Sequence, residues 1–227
     1  MTEPTRGRPP LPIEEILGEA LALLATGGPG ALGMRALARR LGSSTSTLYR
    51  QFPGGKDELC QRLAEQVMAE IITTVADADL DDVWDTILER SAIITFDVLE
   101  RHPHSAALFA GQVHFGPMGM IRYEESLRLL LGAGLSPTDA VAADHALARL
   151  IVGYALQAAA EESPSRAMVS EYYRRLDAAD YPSVATVVPA LPEALRAEFV
   201  FALRTFMAGL RHLVADTGNG VPADQEG

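Results

Sequence analysis

Apolar residues recur along much of the chain at helical spacing, three and four residues apart. The first such stretch carries Ile13, Ile16, Leu17, Ala20, Leu21 and Leu24. It is followed by Gly27-Gly28-Pro29-Gly30, a combination that ends a helix. We find neither the strict alternation that marks a strand nor an internal repeat. The pattern predicts an all-helical protein.

Further helical stretches follow, separated by glycine, proline or acidic runs. The predicted helices cover 57–72, 83–101, 106–111, 120–131, 136–162, 163–179 and 193–215. Gly116-Pro-Met-Gly119 is predicted as a break, and Tyr181–Pro192, with its prolines, as a loop. The segment 136–162 is unusually rich in small apolar residues, which predicts close packing against another helix.

Residues 34–52 have the pattern of two short helices joined by a tight turn. Gly42 can end the first helix in a left-handed conformation, and Ser44 is a favourable N-cap for the second. The second helix keeps only Leu48 and Phe52 as apolar anchors, and its other positions are Thr45, Ser46, Thr47, Tyr49, Arg50 and Gln51. The pattern predicts a helix-turn-helix whose second helix enters the DNA major groove. The alternative is an ordinary helical hairpin with a solvated outer face.

The same region resembles the N-terminal domain of TetR-type (tetracycline-repressor-like) transcriptional regulators. The matching motifs are Ala38-Arg-Arg-Leu-Gly, Thr47-Leu-Tyr, Phe52 and Lys56-Asp-Glu-Leu. Two positions depart from the family: Gly33 replaces the usual threonine N-cap, and one additional residue separates Phe52 from Lys56. The resemblance implies binding to double-stranded operator DNA as a homodimer. Expected DNA-binding residues are Arg35, Ser44, Thr45, Ser46, Thr47, Tyr49, Arg50, Gln51 and Lys56, with Tyr49 and Gln51 exposed.

The chain from His102 to Glu162 resembles the effector-binding domain of the tetracycline-repressor subgroup, through motifs such as Val113-His-Phe-Gly and Gly153-Tyr. The resemblance implies a small organic effector. The drug-contacting polar positions of the family are occupied by Ile72, Ser91 and Thr95, so neither tetracycline nor magnesium is expected. Methionine and aromatic side chains suit an adaptable pocket, although each could equally belong to the core. Expected ligand-binding residues are Trp84, Leu88, Thr95, Phe109, His114, Phe115, Met118, Met120, Tyr123 and Tyr154.

Metal and catalytic sites are not expected. His102, His104 and His114 lie within thirteen residues and could hold a metal, but no cysteine joins them. Their spacing across a break is not a helical pair, so we interpret them as ordinary histidines. Because nucleophile-elbow, phosphate-loop, dinucleotide-binding and zinc-protease motifs are absent, we expect no enzyme and no cofactor.

The charge is distributed unevenly. The net charge is −11, yet residues 1–62 carry eight basic and six acidic residues, a balance of +2. A basic head can neutralise phosphates although the rest of the chain is acidic. Cys60 has no second cysteine to pair with, which fits a reducing cytoplasm. No apolar run reaches membrane-spanning length, and no secretory signal opens the chain, so we expect a cytoplasmic protein without membrane contact.

The expected architecture has four parts: a flexible basic arm (1–11), a three-helix helix-turn-helix domain (12–57), a larger helical effector-binding and dimerisation domain (58–216) and a disordered tail (217–227). Segments 136–162 and 193–215 should form a four-helix dimer interface. The expected function is a ligand-responsive transcriptional regulator, most simply a repressor released by its effector. The alternative is a helical small-molecule or partner-binding protein whose head no longer reads DNA.

Overall fold

Every regular element in the described part of the chain is helical, as predicted. The computed structural model describes residues 11–78, 83–110, 116–160, 166–190 and 194–219. The α-helices in these ranges are α1 Ile13–Ala31, α2 Met34–Arg40, α3 Thr45–Gln51, α4 Gly55–Asp77, α5 Trp84–Arg101, α6 Pro117–Gly132, α7 Pro137–Ala159, α8 Arg166–Arg174, α9 Pro182–Val187 and α10 Leu195–Asn219. Short 3-10 helices lie at Ser105–Leu108 and Val188–Ala190. All but the last residue of the predicted arm, and positions 220–227 of the predicted tail, lie outside the described residues.

Several boundaries differ from the sequence predictions. The helix predicted over 57–72 extends to Asp77, the one predicted over 106–111 is a 3-10 helix that ends at Leu108, and the one predicted over 163–179 ends at Arg174. The expected loop Tyr181–Pro192 contains α9, whose first residue, Pro182, has the fixed φ that suits a helix start. The expected break at Gly116–Gly119 is shorter, because α6 begins at Pro117. The last helix extends to Asn219, into the segment for which composition predicted a disordered tail.

The kink in α1 lies where the sequence predicted that the helix would end. Gly28 has a φ of +64°, a left-handed conformation that glycine adopts without steric cost. A Cβ at this position would lie 3.7 Å from Nδ1 of His104. His104 also has a positive φ, of 65°. The 3-10 helix at Ser105–Leu108 begins directly after His104 and packs against both α1 and α4.

The described residues pack as two units. The first comprises α1–α4, the end of α5 from Asp97 and the start of α6 up to Arg122. The second comprises the start of α5, the rest of α6 and α7–α10.

The first unit has a core that joins α1, α2, α3 and α4. Leu48 and Phe52, the two expected anchors of the reading helix, are fully buried in it. The other core residues are Ile16, Leu17, Ala20, Leu32, Met34, Leu37, Ala38, Leu41, Leu59 and Leu63. This core fixes α3 against the rest of the unit, so the exposed side of α3 is held rigidly.

The second unit is organised by the packing of α7 on α10. Phe199 of α10 stacks on Phe96 with ring centroids 4.3 Å apart, and Tyr154 of α7 meets Phe199 edge-on at 5.6 Å. The predicted start of α7 is confirmed, because Ser136 Oγ accepts the N–H of Asp139 at 3.2 Å and Pro137 opens the helix. These contacts bury one side of α10, whereas Phe201 on the same helix is 72% exposed.

Candidate DNA-binding surface and ligand-binding residues

The turn between α2 and α3 is fixed by backbone hydrogen bonds. Gly42 has a φ of +57°, and its N–H donates to Arg39 O at 3.2 Å, while the N–H of Ser43 donates to Ala38 O at 2.9 Å. These two bonds form a Schellman motif, in which a left-handed glycine closes the end of a helix. The angle between the two helices is therefore set by glycine at position 42.

Hydroxyl groups line the start of α3. Ser44 Oγ accepts the N–H of Thr47 at 3.2 Å, as expected of an N-cap. The same oxygen lies 2.8 Å from Ser46 Oγ and 2.9 Å from Thr47 Oγ1, and Arg50 Nη2 donates to Thr47 Oγ1 at 3.4 Å. Hydroxyl and guanidinium groups of this kind hydrogen-bond base edges and phosphates. Four of the expected DNA-binding residues, Ser44, Ser46, Thr47 and Arg50, are thus connected by hydrogen bonds.

The ring of Tyr49 lies close to Gly55, a residue that was not among the expected functional residues. The Tyr49 side chain is 50% exposed. A Cβ on Gly55 would lie 3.1 Å from Cε1 of Tyr49, and Gly55 has a φ of +65°. The positive φ favours glycine, and a side chain at this position would press on the Tyr49 ring. The sequence signal is the pair Gly54-Gly55, where the chain has one residue more than the family pattern. The glycine pair therefore leaves space for the Tyr49 ring in its present position on α3.

The segment after α3 is closed by Glu58, which belongs to the Lys56-Asp-Glu-Leu motif. Its carboxylate accepts the N–H of Gly54 at 3.0 Å and binds Arg62 Nη2 at 2.8 Å. The Gly54 N–H and, after it, the Arg62 guanidinium lower the pKa of Glu58. Arg62 in turn lies over the ring of Phe52, 5.2 Å from the centroid.

Lys56 and Gln51 differ in how accessible their side-chain nitrogens are to DNA. Lys56 is exposed, but its Nζ donates to Pro29 O at 3.1 Å, so it must exchange this bond to bind a phosphate. Gln51 was expected to be exposed, and that was wrong in part: its side chain is only partly accessible and its Nε2 is buried without a hydrogen-bond partner in the described chain. Tyr49 is therefore the better probe of DNA reading than Gln51.

The arginines of α2 separate into two groups. Arg35 and Arg39 are exposed on the surface of the first unit. Arg40 instead pairs with the carboxylate of Glu19 on α1. Sequence alone could not distinguish Arg39 from Arg40, because Glu19 is distant along the chain.

The expected ligand-binding residues are divided between the two units. Phe109, Met118 and Met120 belong to the first, and the second contains Trp84, Leu88, Thr95, Tyr123 and Tyr154. Leu88 and Phe109 are buried, whereas Met120 is 50% exposed. The other five are partly buried. His114 and Phe115 lie outside the described residues.

Two residues of this set already contact other parts of the chain. Thr95 Oγ1 donates to Ser91 O at 2.7 Å, and the ring of Tyr123 stacks on His145 with centroids 6.1 Å apart. Within the described ranges, no group of three or more histidine, cysteine, aspartate or glutamate side chains could hold a metal ion. The assignment of these residues to a pocket stays a prediction.

Family comparisons match both parts of the chain. Residues 16–63 match the description "Bacterial regulatory proteins, tetR family", and residues 78–214 match "Tetracyclin repressor-like, C-terminal domain". The chain belongs to the TetR family of bacterial regulatory proteins. Members of this family bind operator DNA and small-molecule effectors and are generally not enzymes. The protein is thus a DNA-binding, ligand-responsive transcriptional regulator.

Individual relatives agree with this assignment. The chain is 29% identical over 225 residues to the HTH-type transcriptional repressor DrrR1 of Streptomyces coeruleorubidus, covering 93% of this chain and 82% of that protein. The crystal structure of apo ActR from Streptomyces coelicolor shares the fold, with a TM-score of 0.78 at 23% identity and coverage of 92% of this chain and 99% of that one. A TetR variant from Acinetobacter baumannii AYE, solved in complex with minocycline, matches with a TM-score of 0.68 at 25% identity, covering 89% and 98%.

Within the described part of this TetR-family chain, no helix combines the length and the apolar character that crossing a bilayer requires.

Proposed function

We propose that this protein is a homodimeric, cytoplasmic repressor that binds a double-stranded operator and leaves it when a small organic effector binds its C-terminal domain. The observation that carries the proposal is the polar surface of α3, which stands on the fully buried Leu48 and Phe52. A helix anchored in this way presents its side chains in a fixed geometry. Fixed presentation is what reading base edges in the major groove requires.

The dimer is supported by the apolar surface that α10 leaves uncovered. Phe199, Leu203 and Met207 are buried along one side of this helix, whereas Phe201 is 72% exposed and Leu213 is 54% exposed. We propose that this exposed side of α10 packs against the same side of a second copy, as an isologous two-fold interface does. The dimer places two reading helices on successive major grooves, about 34–36 Å apart.

The exposure of each side chain decides which residue of α7 or α10 can be substituted to test the dimer interface. Leu203 and Ala155 are 0% and 3% exposed, so a charge at either position would disrupt the core of the second unit. Phe201 is therefore the appropriate position at which to test the interface.

The effector is proposed from the C-terminal family match and the candidate residues. The related Acinetobacter TetR variant was solved with minocycline. In the second unit of this chain, Trp84, Tyr123 and Tyr154 offer aromatic surface that is partly accessible. The positions at which the subgroup contacts tetracycline hold other residues, so we propose a different organic molecule as effector. Binding releases DNA only if the effector prefers the state that does not bind DNA.

A selection experiment tests this function directly. Purified full-length protein is incubated with a pool of random-sequence duplexes, and the retained duplexes are sequenced. We expect enrichment of a two-fold-symmetric sequence with half-sites about one helical turn apart. Retention without enrichment of any sequence would contradict operator binding. Organic compounds that raise the melting temperature are then tested for release of the selected duplex.

A further inference from the structure

Two neighbouring arginines of α2 have different surroundings. Arg40 is held by the carboxylate of Glu19, so its charge is already compensated. Arg39 is exposed and lies one helical turn from Arg35, which is exposed as well. Two positive charges on the same helical face attract an anion.

A depression of about 540 Å³ lies beside these side chains. It is lined by Arg35, Ala38, Arg39, Ser43 and Thr45. Ala38 is 4% exposed and forms an apolar base, whereas the other four side chains carry guanidinium or hydroxyl donors. None of these lining residues carries a carboxylate, so the depression is electropositive.

The chemistry of this depression suits a phosphate group. Guanidinium groups bind phosphate oxygens through paired hydrogen bonds, and hydroxyl groups add single ones. Thr45 is the first residue of α3, so the depression adjoins the surface that reads DNA. A duplex that enters beside α3 would bring its backbone to this place.

We propose that Arg39, with Arg35, Ser43 and Thr45, holds a backbone phosphate of the DNA next to the bases that α3 reads. Arg39 and Ser43 thereby join the DNA-binding residues expected from the sequence. This inference rests on the proposed function, because it requires that the protein bind DNA. A phosphate contact fixes the position of α3 on the duplex and carries no sequence preference of its own.

The salt dependence of DNA binding tests the proposal. Parent protein, Arg39→Gln, Arg39→Lys and Arg40→Gln are titrated with the selected duplex and with a scrambled duplex at several salt concentrations. Each neutralised phosphate contributes about 0.9 to the slope of log affinity against log salt. Because the dimer loses one such contact in each half-site, Arg39→Gln should lower the slope by about 1.8 and weaken binding of both duplexes roughly sixtyfold at 0.1 M salt, one decade below 1 M. Arg39→Lys should keep the slope.

Arg40→Gln is the matched control, because it removes the same charge from the adjacent position. We expect it to leave the slope unchanged. Equal effects of Arg39→Gln and Arg40→Gln, or no effect of Arg39→Gln, would overturn the phosphate site. Failure of the parent protein to bind either duplex would instead overturn the proposed function. Circular dichroism verifies that each variant is folded.

Neutral phosphate substitution supplies an independent readout. Single methylphosphonates are placed along the selected duplex, each removing the charge of one phosphate. At one position per half-site, we expect the substitution to weaken binding of the parent but not of Arg39→Gln. A substitution that affects both proteins equally at every position would show that Arg39 contacts no particular phosphate.

Discussion

The Glu65 carboxylate of α4 accepts the backbone N–H of Met118 at 3.0 Å. Met118 lies in the first turn of α6, where backbone N–H groups have no partner within the helix. Glu65 thus caps α6 from a different helix. The carboxylate approaches so closely that a Cβ on Gly116 would overlap it. Gly116 is therefore required by the cap, and the cap holds the backbone of a candidate ligand-binding residue.

Gly116→Ala should lower the free energy of unfolding by about the contribution of this cap, roughly 0.5–2 kcal/mol. The Glu65 side chain can move away from the new methyl group, but it then loses its hydrogen bond to the N–H of Met118. Glu65→Ala should cost a similar amount. The double variant should cost no more than either single one, since both remove the same bond. Denaturant unfolding of the four proteins measures this.

Gly18→Ala is the control for a glycine-to-alanine substitution without a steric conflict, since nothing lies within 4 Å of a Cβ at that position of α1. It should leave stability unchanged or raise it by up to about 1 kcal/mol. Additive costs of Gly116→Ala and Glu65→Ala would contradict a shared cap.

Gly55→Ala should lower both stability and DNA affinity. The left-handed conformation of Gly55 costs a β-carbon residue about 1–2 kcal/mol, and the new methyl group would press on the ring of Tyr49. Gly55→Asn separates the cost of the left-handed backbone from the contact with Tyr49, because asparagine tolerates positive φ but also carries a Cβ. We expect Gly55→Asn to unfold at higher denaturant than Gly55→Ala while binding the selected duplex equally weakly. Parent-like DNA binding by Gly55→Ala would show that the position of Tyr49 does not depend on Gly55.

The ion pair that joins α10 to α5 should give a pH-dependent contribution to stability. Arg211 binds the carboxylates of Asp85 and Glu89. Its hydrogen bond lowers the pKa of Asp85. A carboxyl group with a lowered pKa stabilises the fold above its unfolded pKa, near 3.9, and this stabilisation is lost as pH falls through the folded value.

Arg211→Gln should therefore lower the free energy of unfolding at pH 7 by up to about 1 kcal/mol, the usual worth of a partly exposed pair. The difference from the parent should shrink when urea unfolding is repeated near pH 3. Arg90→Gln, on an exposed position of α5, is the control and should match the parent at both pH values. A difference for Arg211→Gln that is independent of pH would indicate packing rather than charge.

Phe201→Glu should produce a folded monomer if α10 forms the dimer interface. A carboxylate at a 72% exposed position leaves the core of the second unit intact but cannot be buried between two subunits without a partner. Light scattering coupled to size-exclusion chromatography measures the mass. Val83→Glu, at a 61% exposed position outside α7 and α10, should remain dimeric. A monomeric parent protein would refute the dimer.

Local features of the head were predictable from sequence. The left-handed Gly42 and the capping Ser44 act within a few residues of their own position, so residue type is enough to predict them. The anchors Leu48 and Phe52 followed from periodicity in the same way. Helix α9 was missed because its prolines were interpreted as helix breakers, although Pro182 occupies a first turn.

Contacts between distant residues were not predictable. Arg40 differs from Arg39 through Glu19, and Gly116 is constrained by Glu65, about fifty residues earlier. The partial burial of Gln51 likewise depends on tertiary packing, which the periodicity of a short helix does not reveal. The sequence therefore predicts the candidate DNA-binding surface. It does not predict which side chains on that surface are accessible to DNA.

The most direct test of DNA reading by α3 is the affinity of Tyr49→Ala for the selected and scrambled duplexes, measured by mobility shift. Removing an exposed ring that contacts a base or groove should cost about 1–3 kcal/mol on the selected duplex, roughly 5- to 150-fold, and little on the scrambled one. Tyr172→Ala, at a 63% exposed tyrosine of α8, should bind both duplexes like the parent. Parent-like affinity of Tyr49→Ala for the selected duplex would contradict the assignment of α3 as the reading helix.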